Sequence, residues 1–482
     1  MISKNLSEKY NFFKKSVSIV GCFGLVMLLF IGIFCQAQAV TINVLSVQDP
    51  FFFPLEKLVP EFEKETGIKV NLQPLSYDEI HAKLVSSFVA GAKGIDCITS
   101  DLMWIPQYAE NDWIVPLTPY IERDKEEVKI NEFQPQTLYS HEWKGDFYTL
   151  PITSYSHMVY YRKDLFEKAG LKLPPTEKAD WWTWDKYMEY VRKLDELGEE
   201  IYGTVIIGAQ PVPVVHMYTG LALSKGVRWY KQFPKALWDF TPTINTKESI
   251  ESLKYFNELY DHSPRESINY LWFDAGTAFA TQDIGMYYHW GPYGSLHDYA
   301  GYMSKDPSPN AGKYGVGILP QQPGKEELGS LGGWGLAIPK YSANKEEAWR
   351  FIKWATSKET QKAMGLTPAP GYVFNCFVRT PLFEDKDLLE HYPYLSAHRY
   401  SVEHANGKLS RPPVNIYSTL EAIYGLNINK LLVGQETLEG ALANTQSEFE
   451  RVLKENSLIP FNGESYDDTM GNLIKLVEKL SP

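Results

Sequence analysis

The chain has 482 residues, 44% of them hydrophobic and 22% charged, with a formal net charge of −12. That length leaves room for two or three domains, each able to bury its own core. The acidic balance argues against a nucleic-acid partner, because phosphate binding needs a basic surface.

The N-terminus carries the parts of an export signal. Lys4, Lys9, Lys14 and Lys15 form a basic stretch, Val17 to Phe34 is an almost unbroken apolar run, and Ala37-Gln38-Ala39 fits a small-x-small cleavage site. Residues 1–39 therefore read as a signal peptide, with Val40 as the expected mature N-terminus. The competing readings are a retained anchor, since the apolar run is nearly long enough to cross a bilayer, and lipid attachment at Cys35, which the bulky Phe34 disfavours. Cleavage removes four lysines and one glutamate, leaving 443 residues and a net charge of −15. Of four cysteines only Cys97 and Cys376 remain; a bridge between them is open in an oxidising compartment, and nothing in their spacing requires it. Aromatic residues make up 14% of the chain, which permits an aromatic-lined site without demanding one.

The first elements of the mature chain alternate. Thr41 to Val47 is β-rich, and Leu55, Leu58, Val59 and Phe62 recur at helical spacing up to Gly67, with Pro60 expected to kink that helix. Ile68 to Leu72 reads as a strand. Ser76 and Glu79 make a capping box ahead of the stripe Ile80, Leu84, Phe88, and Ile95 to Thr99 is a third strand. Such alternation with short connections is the pattern of a parallel sheet covered by helices. Ligands of open parallel sheets bind beyond the carboxyl ends of the strands, which singles out Asp49, Asp101 and Trp104.

Further along, Tyr148 to Pro151 leads into Met158 to Tyr161, a helix starts at Lys163, and Thr183 caps another through Trp184, Tyr187 and Leu194. Residues 198–300 read less clearly, with a strand expected at Thr204 to Ile207 and a helix from Ser249 to Tyr260. Strand signals return at Tyr314 to Leu319 and Leu328 to Pro339. Asn344 and Glu347 suggest a capping box for a helix running to about Lys362, and Thr419 to Leu453 is amphipathic helix with breaks expected near Gly434 and Gly440.

The order of motifs is similar to that of the extracellular solute-binding proteins of family 1, the maltose-binding-protein-like sugar-capturing subunits of ABC importers. The resemblance rests on Pro151 … Tyr160-Tyr161-Arg162-Lys163-Asp164-Leu165-Phe166 … Gly170 … Pro175 … Trp184-Asp185, and on Pro60-Glu61-Phe62-Glu63 … Thr66-Gly67-Ile68. Tyr288-His289-Trp290-Gly291-Pro292, Gly315-Val316-Gly317 … Gly332-Gly333-Trp334-Gly335, Glu346 to Phe351 and Thr437 to Leu442 follow in the family's order. Arg162 stands where the family usually has Asn, and Gly440 where it has Glu.

The resemblance implies an α/β fold of the periplasmic binding protein type II kind, with two α/β lobes joined by a hinge around a ligand cleft. The lobes fall at 40–151 with 316–340, and at 152–315 with 341–482, and a late segment lies across both. It further implies a periplasmic, monomeric, non-enzymatic protein without cofactor or metal, which takes a carbohydrate or polyol and hands it to membrane permease subunits.

A sugar needs planar aromatics under its C–H face and polar groups around its hydroxyl edge. Trp290 and Trp334, each beside glycines, are the stacking candidates, although both could be core residues. Tyr155, with His157 beside it, aligns just past the first lobe crossing. Asp49 and Asp101 offer carboxylate acceptors or, alternatively, helix caps. Trp104 follows the third strand, Gly333 borders Trp334, and Arg379 lies in a loop where the family often places a ligand-reaching arginine, with a surface salt bridge as its other reading. A secreted glycoside hydrolase would also carry aromatics and paired carboxylates, but no Gly-x-Ser-x-Gly, His-Glu-x-x-His or Cys-x-x-Cys motif is present. A sensory binding protein would share the same closing cleft.

Overall fold

The computed structural model describes residues 40–367 and 374–482; the expected signal peptide, residues 1–39, lies outside them. The longer elements are β1 (Thr41–Val47), α1 (Phe52–Thr66), β2 (Lys69–Leu75), α2 (Tyr77–Val89), β3 (Cys97–Asp101) and β4 (Leu150–Arg162). They continue with α3 (Trp184–Asp195), α4 (Pro213–Ser224), α5 (Lys247–Asp261), α6 (Trp272–Thr281), β5 (Met286–Trp290), β6 (Tyr314–Gly317) and β7 (Leu331–Ala337). Four further helices follow: α7 (Lys345–Ala355), α8 (Lys358–Leu366), α9 (Tyr417–Leu432) and α10 (Leu438–Glu455).

Local chemistry explains the first βαβαβ run. Leu55, Leu58, Val59 and Phe62 bury one stripe of α1, and Gly67, at φ 73°, ends it by returning its N–H to the carbonyl of Glu63. Pro60 lies inside α1 without terminating it. The Ser76–Glu79 capping box starts α2, whose Ile80, Leu84 and Phe88 are buried. All five residues of β3 are buried, as expected of a strand covered on both faces.

Among the described residues the main sheet runs β6-β4-β7-β3-β1-β2, with β5 also paired to β4. β1 and β3 are parallel, whereas β7 is antiparallel to both β3 and β4. The 13-residue β4 ties the two halves together: its first part, to Ser156, pairs with β7, and its second, from His157, with β5 and β6. The fold is the mixed α/β, two-lobed arrangement expected, and β4 is a continuous strand shared by both sheet halves.

Several local expectations are corrected. Thr204 to Ile207 is fully buried but forms no strand; the neighbouring Tyr202 makes only an isolated bridge to Ile284. The helix after Asn344 is not continuous: Asn344 makes no side-chain cap, α7 stops at Ala355, and Ser357 starts α8 by accepting the Thr360 N–H at 3.1 Å. Gly434, at φ 72°, separates α9 from α10, but Gly440 breaks nothing, because Thr437 caps α10 through the Gly440 N–H. Cys97 and Cys376 are both buried free thiols, so the disulfide alternative falls.

Candidate ligand-binding site

Strand register assembles the site. Across the sheet Trp334 of β7 lies opposite Asp101 at the end of β3 and opposite Thr153 of β4, Gly332 opposite Tyr155, and His157 opposite Trp290 of β5. Residues far apart in sequence therefore stand in one row. Gly332 is required there, since a Cβ would fall 2.5 Å from the Tyr155 ring. At Gly333 a Cβ would meet the Thr153 carbonyl at 2.4 Å, so this glycine serves close strand approach and is not among the residues lining the cavity.

In front of this row is a cavity of about 240 Å³. One wall comes from the turns after β1 and β2 and the end of β3, with Asp49, Tyr77 and Asp101, together with Trp334. The opposite wall comes from α4, α6, β5 and the helical turn Gly291–Asp298 that follows it, with His216, Trp272, Phe273, Trp290 and Tyr293, and Arg411 enters from the late part of the chain. Tyr302 closes the rim: its ring stacks on Phe273 at 3.7 Å, and its hydroxyl donates to the carbonyl of Gln48 at 3.3 Å.

The two aspartates play different parts. Asp101 accepts from Arg411 Nη2 at 3.1 Å, from the Tyr77 hydroxyl at 3.2 Å and from the Met103 N–H at 3.3 Å, so its carboxylate is already engaged. Arg411, 2% exposed, also donates through Nε to the Tyr417 hydroxyl at 3.2 Å and lies 3.5 Å from Glu421, which is itself 3.1 Å from His216. Burial opposes the charge of Arg411, but Asp101 and Glu421 outweigh it and hold the guanidinium firmly protonated. Asp49 has no such cation. Burial pushes its carboxyl up to about 7 against the hydrogen bond from Trp334, with the charge of Asp101 adding to the rise. It is the buried carboxyl of the wall that no cation engages, and so an acceptor open to a ligand.

The aromatic groups are held from behind. His157 stacks on Trp290 with centroids 3.8 Å apart and planes at 25°, while Tyr155 meets Trp290 edge-on at 5.5 Å. Trp104 packs edge-on against Trp334 at 5.5 Å and stacks on His81. His157 and Trp104 thus back the site without lining it. The neighbouring His289 is pushed down to about 3 by burial; its Nε2–H donates to the Trp272 carbonyl and its Nδ1 accepts the Trp290 N–H, which fixes a neutral tautomer.

Arg379 is elsewhere. Its Nε donates to the Thr356 carbonyl at 2.7 Å, Nη2 to Val128 at 3.0 Å and Nη1 to Glu132 at 3.1 Å, over the Phe133 ring. These contacts consume the guanidinium in a buried structural role, neither at a ligand nor at the surface. Of the nine residues singled out in the sequence, Asp49, Asp101, Tyr155, Trp290 and Trp334 line the cavity. Tyr77, His216, Trp272, Tyr293, Tyr302 and Arg411 were not foreseen. The crevice rule would have found Tyr77, which follows β2 as Asp49 follows β1.

Among the described residues no helix is long and apolar enough to cross a membrane, and no cluster of three or more His, Cys, Asp or Glu is placed to hold a metal ion. A two-lobed α/β fold enclosing an aromatic cavity, with the Asp49 carboxyl in its wall held by no cation, defines a protein that captures a small solute. The sequence profile of the bacterial extracellular solute-binding proteins matches residues 54–362, and the chain belongs to that family. It is similar to an ABC transporter solute-binding protein of Agrobacterium radiobacter solved with ribitol: 28% identity, TM-score 0.74, 86% of this chain and 98% of the other. The maltose-bound MalE3 of T. maritima gives 27% identity and TM-score 0.74 over 86% of this chain and 100% of the other. A putative binding protein of Brucella abortus is 27% identical over 319 residues, 64% of this chain and 69% of the relative.

Proposed function

We propose that the protein captures one small uncharged polyol or monosaccharide for an ABC importer, closing its lobes over the ligand outside the cytoplasm. The observation that carries this is the cavity itself. Its 240 Å³ lies below the roughly 300–1,000 Å³ of drug-sized ligand sites, which favours a sugar ring or a short open-chain polyol over a longer oligosaccharide. Trp290 and Trp334 offer flat apolar surface to C–H groups, and Asp49 accepts from hydroxyls. The ribitol-bound relative supports the choice of a polyol; the maltose-bound one marks the upper size. Closure is driven by ligand contacts made from both walls.

The lobe division we propose is 40–151 with 316–340, and 152–315 with 341–482, with two segments moved to the first lobe. α7 and α8 pack on α1, where Phe351 and Trp354 lie 5.4 and 5.2 Å from Phe62. The last helix, Met470–Leu480, packs on Pro135–His141.

A thermal-shift panel of polyols, monosaccharides and oligosaccharides tests the reading. At one hundred times Kd a true ligand contributes about 2.7 kcal/mol, and the expected result is one saturable stabiliser among the five- and six-carbon polyols and single sugars. Stabilisation by none, by a longer oligosaccharide alone, or chemical turnover of any member overturns it. For export we propose cleavage after Ala39 into a freely diffusing periplasmic protein. Intact-mass measurement on protein from its own host should give a chain beginning at Val40; a lipid on Cys35 or an uncleaved N-terminus contradicts that.

A further inference from the structure

The segment Asn406–Arg411 carries two buried cations three residues apart, each holding carboxylates from distant parts of the chain. Arg411 pairs with Asp101 in the cavity wall and with Glu421 of α9. Lys408, 1% exposed, donates to Glu142 Oε2 at 2.9 Å and to Asp468, and its ammonium sits 4.4 Å from the centre of the Tyr139 ring. The Tyr139 hydroxyl in turn donates to the Asp468 carbonyl at 2.9 Å, so the same joint holds both ends of the contact. Between the two cations the backbone is tightly held. Asn406 caps the Leu409 N–H at 3.0 Å, the Arg411 N–H donates to the Gly407 carbonyl at 3.0 Å, and a Cβ on Gly407 would fall 2.7 Å from Ser140 Oγ.

We propose that Lys408 is a positioning residue for the ligand site: anchored between Glu142 and Asp468, it sets the one-turn strap that delivers Arg411 to Asp101. The role extends beyond solute capture and does not depend on which solute fills the cavity. Lys408 touches none of the residues lining that cavity through its ammonium; it acts through Arg411, one helical turn away on the same strap. Removing the cation leaves the buried carboxyls of Glu142 and Asp468 without a counter-charge, although Glu142 keeps the Gly145 N–H, and the strap loses the anchor at one end.

Hydrogen exchange of the full-length mature protein reads this without any ligand. In Lys408→Met, exchange is expected to rise by at least about tenfold in residues 405–412 and, beyond the mutated joint, in Asp101–Trp104 and around Glu421. Residues 52–66 stay unchanged, and Lys408→Arg restores the native pattern. Asp468→Asn, which keeps the lysine and one carboxylate, gives the same pattern in smaller measure and serves if Lys408→Met does not fold. A rise confined to 405–410 and 465–470, or a uniform rise across the chain, overturns the proposal. Failure of the sugar panel leaves this result standing, so the two readings fail separately.

Discussion

Replacing Arg411 by methionine is expected to remove about 3–5 kcal/mol of folding stability. The side chain is 2% exposed, and Asp101 and Glu421, which it joins, are 4% and 2% exposed. Methionine fills much of the same volume, so packing is largely kept and the charge balance is what changes. Asp101 retains Tyr77 and the Met103 N–H, and Glu421 retains Tyr417 and His216. Asp101 keeps no cation, and Glu421 keeps only His216, whose pKa burial lowers first and the charge of Arg411 second. In the native protein Arg411 and His216 overcome the burial penalty and keep the Glu421 carboxyl below its usual range. In the variant the larger of these two supports is gone, and the Glu421 carboxyl shifts upward. A group whose folded pKa exceeds its unfolded value destabilises the fold when ionised. The deficit should therefore be greatest above neutral pH and shrink as the medium is acidified and the Glu421 carboxyl takes up a proton. Urea unfolding followed by tryptophan fluorescence, at two pH values, measures both parts. A loss below about 1 kcal/mol, the scale of an exposed pair, would mean that the network does not act as a buried one.

Ligand affinity is expected to strengthen with pH across neutrality, and Asp49 is the cause. Its folded pKa is raised to about 7, chiefly by burial. Hydroxyl donors favour the ionised carboxylate, so binding selects the deprotonated form and displaces a proton. Protonation competes below about pH 7, and the apparent Kd should weaken by up to about tenfold between pH 8 and pH 6. Burial lowers the pKa of His216 in the wall and, behind the aromatic wall, those of His157 and His289, away from this window. Asp49→Asn should flatten the profile and weaken binding at pH 8 by roughly ten- to a hundredfold, the loss of a charge-assisted contact. Calorimetric titration of the best-stabilising panel compound, across pH 6–8 in native and variant protein, gives the answer. A native profile already flat would remove Asp49 from the ligand contacts.

Much of the site could be read before the fold because it sits at strand ends. Asp49 and Asp101 follow β1 and β3, and the first βαβαβ run announces itself through caps, glycine stops and periodic apolar residues. Trp290 and Trp334 stood out through their glycine-flanked motifs. What stayed hidden depends on tertiary contact. His216 and Trp272 lie on or at the start of helices in the weakly patterned middle third, and Arg411 reaches Asp101 across 310 residues. Arg379 looked like a surface or ligand arginine because its partner Glu132 is 247 residues away and no local pattern reports that pairing. His157 reads as a cleft residue beside Tyr155, but its stacking on Trp290 puts it behind that ring, a contact across 133 residues that no local pattern reports. Thr204 to Ile207 has the composition of a strand and the burial of one, but no neighbour offers it a ladder.

These features converge on one physical picture. A long shared strand joins two lobes, their facing walls supply aromatic planes and the Asp49 carboxyl that no cation engages, and a buried arginine ties the wall to the late part of the chain. The most direct test is a crystal structure of the mature protein with the compound that stabilises it most. The expected result is one small polyol or monosaccharide in the cavity, its C–H face on Trp290 or Trp334 and a hydroxyl donating to Asp49. A ligand bound outside this cavity, or inside it without contact to those residues, would contradict the assignment.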